Sequence, residues 1–162
     1  MGLETCHCKT KNRNLLRVKI QEIIEKIKTK AQELGIIDYD LERIFIHGDT
    51  YKWEAEKYPD FQPLQFYKFL VEEFNFKHLE SNGGGEKDDR DDRYESEDCR
   101  SIIEIQGKLI KLEYSYRSHD GYNLSNIWNW KPVIAKQKIV TYFEPEKPVV
   151  FVEKQKAVTY YE

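Results

Sequence analysis

Two histidine–carboxylate strings stand out among the residues able to do chemistry, His119-Asp120 and His47-Gly48-Asp49. A histidine beside a carboxylate in a loop holds one tautomer and can act as a general base, which defines a hydrolase reading. Both strings are equally turn sequences, in which Asp and Gly serve the backbone. No Gly-x-Ser-x-Gly elbow accompanies them. Cys6-His7-Cys8 is the most metal-like string, but a zinc site draws on paired ligands with a wider gap inside each pair. Only Cys99, His47, His78 and His119 remain to complete it, and none forms a second pair. A carboxylate–lysine nuclease would use Asp60 and Glu104, yet Gln106 stands where its lysine belongs and Lys108 falls past the turn. Gly83-Gly84-Gly85 opens into acids and lacks the Lys-Ser or Lys-Thr of a phosphate loop. No metal and no cofactor is expected.

Charge is segregated behind a net −3. Lys9 to Lys30 holds eight basic residues against two acidic ones, with Arg13, Arg17, Lys19, Lys26 and Lys30 among them. These could track phosphates, or form the solvated side of an amphipathic helix. Glu80 to Arg100 holds nine acids against four bases, with Asp91 and Asp92 at its centre. That stretch could steer a basic partner or simply solubilise a loop. The interleaved Arg90 and Arg93 weaken any imitation of nucleic acid.

The C-terminal region carries one motif twice. Lys136-Gln137-Lys138-Ile139-Val140-Thr141-Tyr142-Phe143-Glu144 returns as Lys154-Gln155-Lys156-Ala157-Val158-Thr159-Tyr160-Tyr161-Glu162, identical at seven of nine positions. Val, Thr, Tyr and Phe suit a pleated, half-buried surface, so both copies read as strands. Pro145 and Pro148 separate them, which predicts a long hairpin or two-strand arm. Tyr142, Phe143, Tyr160 and Tyr161, each near a lysine, are candidate partner-contacting residues; the same pattern would allow base stacking.

The elements that must position these residues follow from periodicity. Leu16, Ile20, Ile23, Ile24, Ile27, Ala31 and Leu34 form one apolar stripe and predict a helix over 13–34, ended by Gly35. Residues 42–47 and 50–56, joined at Gly48-Asp49, read as a hairpin with Tyr51, Trp53 and Ala55 on its dry face. A second helix starts at Pro63, buries Leu64, Tyr67, Leu70, Val71 and Phe74, and fades near Asn75. Residues 80–100 read as a long loop or a disordered insertion. Residues 101–117 form a second hairpin that turns at Gly107, with Ile103, Ile105, Ile110, Leu112, Tyr114 and Tyr116 inside.

This order implies an α+β fold, an antiparallel sheet of successive hairpins with two helices packed on one face. The organisation expected is a flexible tail at 1–12, a core domain at 13–130 and the duplicated arm at 131–162. No apolar run is long enough for a membrane helix, and Met1 to Lys11 is too polar for a signal peptide, so a cytoplasmic location is expected. The functional reading is a non-catalytic interaction, regulatory or inhibitory module. It would use the duplicated strands, toward a protein partner or a second copy, together with the acidic loop. Nucleic-acid binding through the basic helix and the Lys/Tyr strands is the second reading, and the His119–Asp120 hydrolase the third.

Overall fold

The computed structural model describes residues 4–82, 96–117, 119–146 and 150–162, with side chains described over 16–82, 98–117, 119–142 and 153–162. The chain forms two units, residues 1–131 and 132–162. The fold is α+β, with antiparallel sheets and, among the described residues, four α-helices.

In the first unit, α1 spans Glu4–Glu33 and buries Ile20, Ile24, Ile27 and Ala31 on the predicted stripe. It starts nine residues before the expected boundary at 13. Its end is a Schellman motif, with the Ile36 N–H on Ala31 O (2.9 Å), the Gly35 N–H on Gln32 O (3.1 Å) and Gly35 at φ +65°. Helix α4, Gln62–Phe74, opens with Pro63 in its first turn and stops at a left-handed Asn75. Leu64, Leu70 and Phe74 are buried as expected, but Val71 is exposed and Phe66, not on the predicted stripe, is fully buried.

The predicted hairpin over 42–56 does not form. Its place is taken by α2 (Asp38–Leu41), a π-helical turn (Glu42–Ile46) and α3 (Lys52–Lys57). The alternation at Tyr51, Trp53 and Ala55 is not used by a sheet, since Tyr51 is fully buried while Trp53 is 78% exposed. The competing force is a polar clamp around Arg43. Its guanidinium meets Asp49 at 2.5 Å and Glu54 at 2.9 Å, and stacks 4.2 Å from the Tyr51 ring centre. Asp49 also accepts the Tyr51 N–H at 2.7 Å, which turns the chain before α3.

The sheet runs β1 (Lys77–Asn82), β2 (Ser96–Ile105), β3 (Lys108–Arg117) and β4 (Gly121–Asn123), each antiparallel to the next, with the short β5 (Lys131–Pro132) also on β3. Strands β2 and β3 realise the expected hairpin, with Ile103 facing Ile110 and Ser101 facing Leu112. Gln106 and Gly107 both take positive φ, the pattern of a type I′ turn. The Gln106 N–H donates to Phe74 O at 2.7 Å and ties that turn to the end of α4. The end of β1 and the start of β2 fall within residues 80–100, where the sequence suggested loop. The inner face of the sheet, α1, α4 and the π turn share one core, into which Ile127 and Trp130 also pack.

The second unit is a two-stranded antiparallel sheet of β6 (Ala135–Glu146) and β7 (Val150–Tyr161), the predicted hairpin. Among the described residues, no helix is long and apolar enough to cross a membrane.

Candidate interaction surface

The two copies of the repeat lie against each other, and their register has an internal symmetry. Lys136 faces Tyr160, Lys138 faces Val158, Ile139 faces Ala157, Val140 faces Lys156 and Tyr142 faces Lys154, without a bulge. Ile139 and Ala157 are the fourth residues of the two motif copies, Phe143 and Tyr161 their next-to-last. The three facing pairs on one side of Ile139–Ala157 therefore recur on the other with the strands exchanged. The motif is complementary to itself about a twofold axis through that pair.

Side-chain contacts obey the same symmetry. The Lys138 ammonium lies 5.7 Å from the Tyr160 ring centre, and the equivalent Lys156 lies 5.3 Å from that of Tyr142. These are diagonal neighbours on one face, the usual reach of long side chains across an antiparallel pair. That face carries Lys136, Lys138, Lys154, Lys156, Tyr142 and Tyr160, while Tyr161 lies on the other. Lys136 is also ion-paired with Glu162, which raises the lysine pKa through that hydrogen bond and charge. No described side chain of this unit is fully buried, and Ile139 is 72% exposed.

Backbone polarity follows from the base of the hairpin. Ile134 and Glu162 exchange both N–H···O bonds, at 2.6 and 2.9 Å. Such pairs alternate along an antiparallel ladder. The N–H and C=O groups of residues 154, 156, 158 and 160 thus point at β6, and those of 153, 155, 157, 159 and 161 point away from it. Among the described residues, β7 has no strand on that outer side.

The histidine candidates are placed differently from their sequence pairing. His47 Nε2 lies 3.2 Å from Glu42 Oε1, while Asp49 is held by Arg43 and the Tyr51 N–H. His119 and Asp120 are exposed in the turn between β3 and β4, where Asp120 lies 3.9 Å from Arg117. Neither lines the 540 Å³ cleft floored by Cys99, Arg100 and Tyr114. Glu113, one of its lining residues, binds both Lys131 and Lys111, and those two hydrogen bonds hold its pKa below the usual carboxylate range.

Of the basic-helix candidates, Arg17, Lys19 and Lys26 are exposed, and Lys30 is paired with Glu33 at 3.4 Å. Lys26 and Lys30 share a shallow groove with Glu25, Glu33 and Glu73. The side chains of Arg13, Phe143 and Cys6-His7-Cys8, and all of Asp91 and Asp92, lie outside the described residues. Among the described residues no cluster of three His, Cys, Asp or Glu is placed to hold a metal.

One polar cluster was not legible in the sequence. Ser81 Oγ lies 2.8 Å from His78 Nε2, 2.5 Å from Ile46 O and 2.6 Å from Ser101 Oγ. A hydroxyl has one proton and a carbonyl only accepts, so Ser81 donates to Ile46 and receives from the other two. His78 therefore carries its proton on Nε2, the wrong polarity for a base that activates Ser81. The cluster is a structural joint between β1, β2 and the π turn.

Burial pushes the His78 pKa below the ordinary histidine value, with His47 adding to the effect and the Ile46 carbonyl and Glu80 opposing it. Unfolded His78 takes up a proton near pH 6.5 while the folded form resists. Its contribution to stability is therefore complete above that pH. It is lost as pH falls from there toward the lower folded pKa. Urea unfolding at pH 7.5 and 5.5 is expected to show lower stability at the acid pH, and His78→Gln is expected to flatten that part of the slope. An unchanged slope would place the acid sensitivity elsewhere.

Comparison with protein-family models, curated proteins and solved structures found no match.

Proposed function

We propose that this chain is a non-catalytic protein-interaction module that docks its partner along the outer edge of β7 by strand addition. One observation carries the reading. β7 is a twelve-residue strand, unbulged and free of proline, whose outer backbone groups have no strand partner among the described residues. Natural edges of this kind are normally shortened, bulged or covered. An isolated two-stranded hairpin is also marginal in water until further strands or a packed face support it. Lys154 and Lys156 on β7 make the edge selective, because a cationic residue placed directly opposite either one is repelled. The acidic segment around Asp91 and Asp92 would add electrostatic steering toward a basic partner.

The test is Ala157→Pro. The Ala157 N–H points away from β6, so proline deletes an edge donor without removing a β6–β7 bond. Full-length chain is expected to capture a stoichiometric protein that survives nuclease and high salt, and Ala157→Pro is expected to weaken that capture about tenfold or more. Capture that is indifferent to the substitution would end the edge reading.

A second reading, nucleic-acid binding, is favoured by the single face that gathers Lys136, Lys138, Lys154 and Lys156 with Tyr142 and Tyr160. It requires affinity for single-stranded oligonucleotides that falls steeply with salt. Salt-independent or absent binding removes it.

A further inference from the structure

We infer that the partner at this edge is a second copy of the chain, with β7 pairing antiparallel to the partner's β7 about a twofold axis at Ala157. The inference rests on the reading of β7 as a docking edge and goes further by naming the occupant and the register.

The argument begins with the hairpin. The motif already pairs with its own second copy, and the residues that face each other are set by symmetry about Ile139–Ala157. A second β7 presents the same sequence to the open edge. Centred on Ala157, it puts Lys156 opposite Val158, Lys154 opposite Tyr160 and Gln155 opposite Thr159, the same residue types that face one another inside the hairpin. Faces are conserved as well, since a twofold axis normal to a sheet keeps each side chain on its own side. The lysine–tyrosine diagonals at Lys138–Tyr160 and Lys156–Tyr142 would recur across the new seam, and the product is a four-stranded sheet.

Charge and backbone chemistry select this arrangement. A slip that centres the pair on Lys156 sets two ammonium groups face to face, which is unfavourable. Residues 132–162 carry five lysines against four glutamates, so two copies approach without a large like-charge barrier. The outer edge of β6 is the poorer choice. Pro145 lies at an outward position of that strand, where it has no N–H to donate.

Cysteine crosslinking of the full chain tests occupant and register together, with Cys6 and Cys8 replaced by Ser and Cys99 left buried. Directly paired residues in the inferred sheet have Cα atoms about 5.5 Å apart, within disulfide reach. Ala157→Cys is therefore expected to form covalent dimers under mild oxidation. Gln155→Cys alone and Thr159→Cys alone would sit about 13 Å from their own counterparts along the strand and stay monomeric. An equimolar mixture of those two variants is expected to crosslink. Light scattering of the uncrosslinked chain should show mass rising from 19.5 kDa toward twice that value with concentration, and Ala157→Pro should abolish the rise.

Crosslinking of Thr159→Cys with itself, or a monomer at every concentration, overturns the inference. If the chain stays monomeric yet captures another protein in an Ala157-dependent way, the occupant is wrong and the docking edge survives. If neither association depends on Ala157, both fall.

Discussion

Replacing Phe45 with alanine is expected to cost about 3–5 kcal/mol, the range for deleting a fully buried aromatic ring. Phe45 lies in the π-helical turn with no exposed surface. Its ring meets Phe76, Trp128 and Trp130 edge-on at centroid distances of 5.7, 5.9 and 6.3 Å. Each such arrangement adds to burial by setting a ring edge against a ring face. The three partners come from the residue just before β1 and from the segment before β5, so this one side chain joins parts of the chain far apart in sequence. Removing it leaves a void bounded by rigid rings, which collapse poorly around a cavity. Urea unfolding followed by tryptophan fluorescence reads both the stability and the environment of Trp128 and Trp130. A loss under about 1 kcal/mol would mean that the aromatic cluster repacks or that Phe45 is not its centre.

Gly48→Ala is expected to destabilise the chain by about 2–5 kcal/mol, from two separable causes. Gly48 sits at φ +64°, a conformation L side chains rarely adopt. An added Cβ would also come within 2.6 Å of His78 Nδ1 and 2.9 Å of its Cγ. The backbone part is about 1–2 kcal/mol and the overpacking part about 1–3 kcal/mol. A double-mutant cycle with His78→Ala divides them, because truncating the imidazole relieves the collision and leaves the strain. Coupling of at least about 1 kcal/mol is expected. Additive losses would show that the imidazole moves aside freely and that backbone strain is the whole effect.

The expectation that Gly48-Asp49 turns a hairpin and the observation that it joins two helical segments come from the same residue types. Gly48-Asp49 serves a turn in either case. The alternation of Tyr51, Trp53 and Ala55 suits a strand, but over so few residues it does not exclude a helix. What decides is the Arg43–Asp49–Glu54 clamp, made of side chains six and eleven residues apart that meet across separate helical segments. Strand β1 escaped notice for a related reason. Lys77 to Asn82 is mostly polar, and it is held by pairing with β2 and by the Ser81 hydroxyl. Both are contacts with distant residues.

Where local chemistry suffices, the sequence was enough. The apolar stripe of α1 with Gly35, the Pro63 start and Asn75 stop of α4, and the Gly107 turn are settled by neighbours within a few residues. The repeat was visible as well, but its centre of symmetry was not. Register in a hairpin depends on the length of the connection, and here the pairing of Glu146 with Val150 goes with Ile139 opposite Ala157. A connection one residue longer would bring a different pair to the centre.

Two copies of one self-complementary strand on a short tether meet at an effective concentration in the millimolar range, roughly a thousandfold above that of separate chains at micromolar levels. A strand whose pairing is too weak to bring two molecules together can still close on its own duplicate. The repeat converts an encounter between molecules into an event within one, and the inner edge of the pair fills whatever the abundance of the protein. With β7 paired to a second copy as inferred above, its outer edge would be the one that responds to how many copies are present, and the hairpin would act as a gauge of the chain's own concentration.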